Sequence, residues 1–281
     1  MENIGINVNS TKDKDDKILK AIIETIKETF TESNIEIYKD SIGLDNERSR
    51  KLDILITLGG DGTILRSARA VSKFSIPILG VNIGNLGFLA GVECKQFKEA
   101  VKKLKNGSYN IEERAMLKCV ALNSDKNIEF NSLNDIVISK GTLSRIVRYD
   151  ISVDNKFYTS FSADGIIIAT PTGSTAYSLS AGGPILYPNL SLMEITAICP
   201  HAPGMRTLVV DAKSKVDVAI ERGNESVFLT VDGQESLELD EITNVSISSS
   251  DYKCKVIRIE DYDYFDILRK KIIFRTRDCE R

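Results

Sequence analysis

Apolar residues recur along this chain with two different periods, and the change falls near residue 95. In the first third, strand-length apolar runs alternate with helical patterns. Asn3 to Val8 reads as a short buried strand, and Ile35 to Tyr38 as a second. Between them Ile18, Ile22, Ile26 and Phe30 recur every four positions, which predicts a helix over about Asp13 to Phe30 with one apolar face. Asp53 to Leu58 is an apolar run of strand length, as expected when helices cover both faces of a sheet. A helical pattern with Leu65, Ala68 and Val71 follows, then a buried strand from Ile76 to Val81. This β-α-β-α-β order implies a parallel sheet covered by helices.

Beyond Gln96 to Lys105, an amphipathic helix with Phe97, Val101 and Leu104 inward, the period becomes mostly two. Val147, Tyr149, Ile151 and Val153 alternate with polar residues, as do Val216, Val218 and Ile220. Turn signals such as Asp154-Asn155 and Gly223-Asn224 separate the runs. The pattern predicts many short strands interrupted by one small-residue helix near Ser174 to Ala181. Asp266 to Phe274 reads as a final helix or strand.

Composition narrows the class. With 42% hydrophobic and 27% charged residues in 281, the chain has the make-up of a globular protein of one large or two medium domains. The 37 basic and 40 acidic residues are interspersed, without the basic excess of a nucleic-acid binder. The longest apolar stretches, such as Gly165 to Ala169, are far short of a membrane span, and the first residues have no signal-peptide pattern. A single histidine, His201, excludes a multi-histidine metal cage within one chain, and its Cys-Pro-His-Ala-Pro-Gly context reads as a structural loop. The five cysteines, Cys94, Cys119, Cys199, Cys254 and Cys279, are scattered and never form a CxxC pair, so reduced thiols and a cytoplasmic location are expected.

Candidate chemistry begins where the Asp53 to Leu58 run ends, in Gly59-Gly60-Asp61-Gly62-Thr63. Backbone N–H groups of such a loop, with the N-terminus of the helix that follows, can seat phosphate oxygens. A carboxylate beside a polyphosphate is costly unless a metal ion or a proton-transfer role compensates it. The constellation therefore suggests phosphoryl transfer with Asp61 near the accepting hydroxyl; a glycine turn with Asp61 as helix cap is the plainer alternative. Neither GxxxxGK[ST] nor a GxGxxG after the first strand occurs in the sequence. Asn82-Ile83-Gly84-Asn85-Leu86-Gly87-Phe88 follows the next strand, and neighbouring parallel strands deliver such loops to one crevice.

A second constellation runs from Asp164-Gly165 through a buried strand into Thr170-Pro171-Thr172-Gly173-Ser174-Thr175-Ala176-Tyr177-Ser178-Leu179-Ser180-Ala181-Gly182-Gly183-Pro184. Short hydroxyls and loop amides in this density can satisfy a base, a ribose or a pyrophosphate, whereas Thr172 or Ser174 alone could simply cap a helix. Asn134-Asp135, inside the apolar run Leu133 to Ser139, need polar partners, which a bound sugar or base, or a buried turn, would supply.

With Gly59 to Thr63, Asn85 to Phe88, Asn134-Asp135, Asp164-Gly165 and the block Thr170 to Pro184 in this order, the chain resembles the bacterial NAD kinases of the GGDGT kinase superfamily over nearly its whole length. The first motif is shared with lipid kinases and, more loosely, phosphofructokinases; the long hydroxyl-rich block is far more specific. The resemblance implies an amino-terminal α/β domain with a parallel sheet and a carboxyl-terminal β-sandwich-like domain, with the active site between them. The expected division is 1–95 for the α/β domain, 96–262 for a β-rich dinucleotide-binding domain, and 263–281 for a tail packing back on the first.

The resemblance also implies a reaction: the terminal phosphate of ATP, or of polyphosphate, passes to the 2′-hydroxyl of the adenosine ribose of NAD, giving NADP. Asp61 would be the proton acceptor, Gly62 would admit the ribose or a phosphate, and Arg66 would lie near the dinucleotide phosphates. Asn134 and Asp135 would grip the adenosine, Arg145 matches a variable and often basic contact, and Asp164 would meet the nicotinamide end. Thr175, Ala176, Tyr177, Ser178, Leu179 and Ser180 would hold adenine and ribose, and Gln234 matches a further contact; Asn85 and Phe88 would belong to the pocket wall. Ser162 departs from the family, whose bacterial members often carry Arg or Lys there, so a cation is lost beside the nicotinamide ring. A divalent cation, Mg²⁺, is expected to arrive with ATP rather than in a protein cage. A homotetramer or dimer is implied, with no nucleic-acid or membrane partner. A diacylglycerol kinase of the same superfamily and a non-catalytic dinucleotide sensor are the alternatives.

Overall fold

A computed structural model describes all residues except 85–86, 123–126, 142–145, 203, 222–225, 240–243 and 274–281. The chain forms two compact units, Met1–Glu113 with Cys254–Arg281, and Arg114–Lys253.

The first unit opens with β1 (Asn3–Val8), α1 (Lys17–Thr29), β2 (Asn34–Lys39), β3 (Ile54–Gly59), α2 (Asp61–Val71), β4 (Ile78–Asn82), β5 (Val92–Glu93) and α3 (Phe97–Lys105). The strands run in the order β2-β1-β3-β4, every pair parallel. Every residue of β3 is buried, because α2 packs against it on one face and α1 and α3 share a core with it on the other. Each fully buried Ile or Leu in this layer contributes about 1.5–3 kcal/mol by leaving water. Helix α1 starts four residues later than its apolar period predicts. The Asp13 carboxylate accepts hydrogen bonds from the N–H groups of Ile18 and Leu19, at 3.1 and 2.8 Å, so Asp13 caps the helix from outside.

The chain leaves this unit within β6 (Tyr109–Leu122). There follow β7 (Ile128–Ser132), β8 (Asp135–Lys140), β9 (Val147–Val153), β10 (Lys156–Ala163), β11 (Gly165–Ala169), α4 (Tyr177–Ser180), β12 (Leu192–Ile198), β13 (Leu208–Asp211), β14 (Val216–Glu221), β15 (Val227–Val231) and β16 (Glu235–Glu238). It returns within β17 (Asn244–Ile259) and ends, among the described residues, in α5 (Tyr264–Leu268) and a π-helical turn, Arg269–Ile273. The expected boundaries at 95/96 and 262/263 thus differ from the observed division at 113/114 and 253/254. Phe97, Val101 and Leu104 of α3 and Ile257 and Ile259 of β17 are buried with β1, β3 and β4, which assigns both elements to the first core.

The second unit is antiparallel. One sheet runs β13-β12-β11-β8-β15-β16, and β10, β9, β14 and the start of β17 pair side by side. Alternate residues, among them Ile136, Ile138, Tyr149, Ile151, Ile166, Ile168, Met193, Ile195, Val216 and Val218, form one buried core, as the period of two expects of its strands and the resemblance of a sandwich-like domain. The expected helix at Ser174 to Ala181 is instead a 3₁₀ turn, Gly173–Thr175, and the four-residue α4, broken at Ala176 with φ −100° and ψ −124°.

Candidate active site

Gly60 caps α2 in an extended conformation, and Asp61 is the first helical residue. The Asp61 side chain does not cap its helix. Its Oδ2 accepts the N–H of Phe88 at 2.8 Å and its Oδ1 the N–H of Leu89 at 3.1 Å. The two glycine-containing loops that follow β3 and β4 therefore meet at this carboxylate. A Cβ on Gly87 would lie 1.9 Å from Asp61 Oδ1, so only glycine lets the second loop close over it. Each carboxylate oxygen keeps a further lone pair for a proton or a ligand donor.

Gly62 and Arg66 are exposed on α2. The Arg66 charge adds to two hydrogen bonds from Ser10 in holding the Asp40 carboxyl below its usual range. Lys12 donates to the carbonyl of Ile83 at 3.2 Å, so a cation lies beside these loops. Phe88 is half-buried. Asn85 lies outside the described residues.

In the second unit, Asn134 lies in the bend that leads into β8, and Asp135 is the first residue of that strand, so of the pair only Asn134 falls outside the strand that their apolar context suggests. Asp232, which sequence reasoning missed, anchors the turn. Its Oδ1 accepts the Ser132 hydroxyl at 2.6 Å and the N–H groups of Asn134 and Asp135 at 2.7 and 3.3 Å, and its Oδ2 accepts the Leu133 N–H at 3.3 Å. Burial, and then the Asp232 charge, push the Asp135 carboxyl up to about 7. The buried Asn134 Oδ1 has no hydrogen-bond partner among the described residues.

The hydroxyl-rich segment locks against this turn. Thr170 donates its hydroxyl to the Leu133 carbonyl at 2.6 Å and its N–H to the Asn134 carbonyl at 2.8 Å. A Cβ on Gly173 would lie 2.2 Å from the Asn134 carbonyl oxygen, which makes that glycine obligatory. The hydroxyls then divide by direction. Ser174 bonds inward to the carbonyl of Pro171, and the Ser178 hydroxyl bonds to Thr196 at 2.9 Å; both are fully buried. Tyr177 and Ser180 are exposed, and Thr175, Ala176 and Leu179 half-exposed. Of the expected adenosine contacts, Ser178 thus supports the segment from below, and the others remain on its accessible side.

Beneath this segment lies a carboxylate that sequence reasoning also missed. Glu194 on β12 is fully buried, and neither of its oxygens has a hydrogen-bond partner among the described residues. Burial lifts its carboxyl to about 7, opposed by the nearby Ser178 hydroxyl, whose own bond goes to Thr196. The available signal was a single acid in the apolar run Leu192 to Ile198.

Gln234 closes the β15–β16 hairpin beside Asp232, its N–H on the Val231 carbonyl at 2.9 Å. Ser162 lies opposite Arg148 in the β9–β10 register. Asp164 is paired with Lys140 at 3.1 Å, a neighbour that motif reading did not reveal. Arg145 lies outside the described residues. Among the described residues no group of three or more His, Cys, Asp or Glu side chains could hold a metal ion.

Known proteins match this chain along its whole length. The ATP-NAD kinase N-terminal domain matches residues 5–109, and the ATP-NAD kinase C-terminal domain residues 133–259. The NAD kinase of Clostridium botulinum (strain Kyoto / Type A2) is 52% identical over 280 residues, covering 100% of this chain and 99% of that protein. The NAD kinase of Clostridium beijerinckii is 45% identical over 281 residues, with 100% and 99% covered. Among solved structures, a yeast NADH kinase complexed with NADH aligns with a TM-score of 0.85 and 26% identity, over 97% of this chain and 87% of that one. An NAD kinase from Archaeoglobus fulgidus in complex with ATP aligns with a TM-score of 0.78 and 26% identity, over 96% and 98%.

Proposed function

The chain belongs to the NAD kinase family, and from that membership we propose how its residues divide the work of phosphorylating NAD. Its activity is transfer of a phosphate from ATP to NAD. In our reading the acceptor is the 2′-hydroxyl of the adenosine ribose. The hydroxyl oxygen forms a bond to the terminal phosphorus, the bond to the bridging oxygen breaks, ADP leaves with that electron pair, and the hydroxyl proton passes to Asp61. The observation that carries this reading is the Asp61 carboxylate, fixed at the start of α2 by two backbone N–H groups with lone pairs to spare. A base so placed is worth about 10²–10⁴-fold. Alignment and charge neutralisation of the loose phosphoryl transition state supply the larger share.

Asn134 and Asp135 hold the adenosine, Asn134 offering the unpartnered Oδ1. Thr175, Ala176, Tyr177, Leu179, Ser180 and Gln234 complete its surroundings, Gly62 and Arg66 meet phosphate or ribose, and Arg145 contributes a further contact. Mg²⁺ enters as the ATP complex, as part of the substrate, and neutralises charge on the phosphates. We place the protein in the cytoplasm, consistent with the free thiols of Cys94, Cys119, Cys199 and Cys254. No described helix is long and apolar enough to cross a membrane. We also propose a homotetramer or dimer. The exposed Phe157 and Tyr158 of β10 favour a covered surface, and light scattering tests it.

The deciding assay combines purified protein, NAD, ATP and Mg²⁺, read by an NADP-specific dehydrogenase, with polyphosphate as alternative donor and diacylglycerol as alternative acceptor. NADP formation is expected; phosphorylation of diacylglycerol instead would overturn the reading. In the same assay Gly87→Ala is expected to lower turnover about 100-fold, because its methyl group must push the Asp61 carboxylate aside. Unchanged turnover would mean that the loop closure is irrelevant to chemistry.

NADH should be accepted as well. Ser162 carries no charge, Arg148 opposite it is paired with Asp150 and Glu221, and Lys140 is paired with Asp164, so none of these residues presents an unopposed charge to separate the cationic from the neutral nicotinamide. Rates with NADH and NAD are expected within about tenfold of each other, because an unopposed unit charge close to the ring would separate them further. An enzyme with no detectable turnover of NADH would contradict this.

A further inference from the structure

Arg258 is the one charged residue in the apolar run Val256 to Ile259 at the end of β17, and it is only 3% exposed. Among the contacts of its guanidinium, three matter here. Its Nε donates to Glu112 Oε2 at 3.0 Å, its Nη1 donates to the Leu89 carbonyl at 2.8 Å, and its Cζ lies 3.9 Å from the centre of the Tyr262 ring. The Leu89 contact is the informative one. Leu89 is the residue whose N–H reaches Asp61 Oδ1. One residue is thus held at both ends, its N–H on the carboxylate and its carbonyl on a buried arginine.

Glu112 balances the arginine's charge, so Arg258 offers Asp61 little net field. What it offers is position. Residues 87–91 lead into β5, where the Gly91 N–H meets the Gly80 carbonyl of β4, and among the described residues the hydrogen bonds from this loop to Asp61 are backbone ones. A flexible anchor at Leu89 would let the Phe88 and Leu89 amides drift, and the carboxylate with them. The planar guanidinium, gripped by a carboxylate, a carbonyl and an aromatic face, is a rigid anchor that lysine cannot reproduce.

We propose that Arg258 is a positioning residue for phosphoryl transfer, acting through the Leu89 backbone to hold the Asp61 carboxylate in place. This rests on the reading of Asp61 as the base.

The test is a double-mutant cycle. Arg258→Lys should lower kcat about 10–100-fold, since small misplacements of a reacting group cost that much, while KM for NAD changes less than about threefold. In the Asp61→Asn background Arg258→Lys should cause no further loss, because the group it positions is already disabled. If Arg258→Lys fails to fold, the pair Arg258→Met with Glu112→Met leaves no lone buried charge and serves in its place, with circular dichroism as the check on folding. Wild-type kcat in either variant, or losses that simply add to that of Asp61→Asn, would overturn the inference and leave Arg258 a structural residue. If Asp61→Asn alone turns over normally, the reading of Asp61 falls, and the route assigned to Arg258 with it.

Discussion

Asp61→Asn is expected to lower turnover at least 100-fold while affinity for NAD stays within several-fold. The substitution keeps the size and shape of the side chain. Its amide oxygen can still accept one of the N–H groups of Phe88 and Leu89 that now fall on Oδ2 and Oδ1. Its amide nitrogen faces the other donor and has no lone pair to take up a proton. The 2′-hydroxyl must then attack while still protonated, or lose its proton to water. The residues assigned to the adenosine lie on other elements, Asn134-Asp135 and the segment around α4, and keep their own anchors. Steady-state rates and calorimetric titration with NAD separate the two quantities. Near-normal turnover would show that Asp61 is not the base, and a large loss of affinity would make it a binding residue instead.

The period of the apolar residues carried the strands and helices of the first unit. The run Asp53 to Leu58 is continuous because both faces of β3 are covered, and a continuous run needs no knowledge of partners. Start points were less legible. Helix α1 begins at Lys17 because Asp13 reaches forward to the N–H groups of Ile18 and Leu19, a contact no periodicity reveals. The block Thr170 to Pro184 announced a polar site, but a run of short hydroxyls has no apolar face by which to orient it. Ser174 and Ser178 turned inward, whereas Tyr177 and Ser180 turned outward.

Asp232 was invisible for a different reason: Val-Asp-Gly-Gln reads as a hairpin turn, and its partners lie 97 to 100 residues away. Glu194 and Arg258, each a lone charge in an apolar strand, take their meaning from neighbours that only the fold supplies.

Asp232→Ala is expected to destabilise the protein by about 3 kcal/mol, because three backbone N–H groups on buried or half-buried residues lose their acceptor at once and the Ser132 hydroxyl keeps only the Asp135 carbonyl. Asp232→Asn should cost far less. Three of these four bonds converge on Oδ1, and an asparagine oxygen placed there keeps them while giving up the 3.3 Å contact from Leu133. The two variants therefore separate shape and acceptor from charge.

Charge has its own readout. Asp135 is raised from an ordinary 3.8 to about 7, first by burial and then by Asp232. Between those values the folded state holds a proton that the unfolded chain has released, so folding loses stability as pH rises through that window. Asp232→Asn removes the like charge, brings the Asp135 value down, and should flatten the decline; burial remains, so the slope shrinks without vanishing. Urea unfolding at pH 5 and pH 8 measures both effects. In activity assays Asp232→Ala should raise KM for NAD more than it lowers kcat, since the turn it anchors carries Asn134 and Asp135 and not Asp61. An alanine variant as stable as the wild type, or an asparagine variant with an unchanged pH slope, would show that the turn stands without this carboxylate.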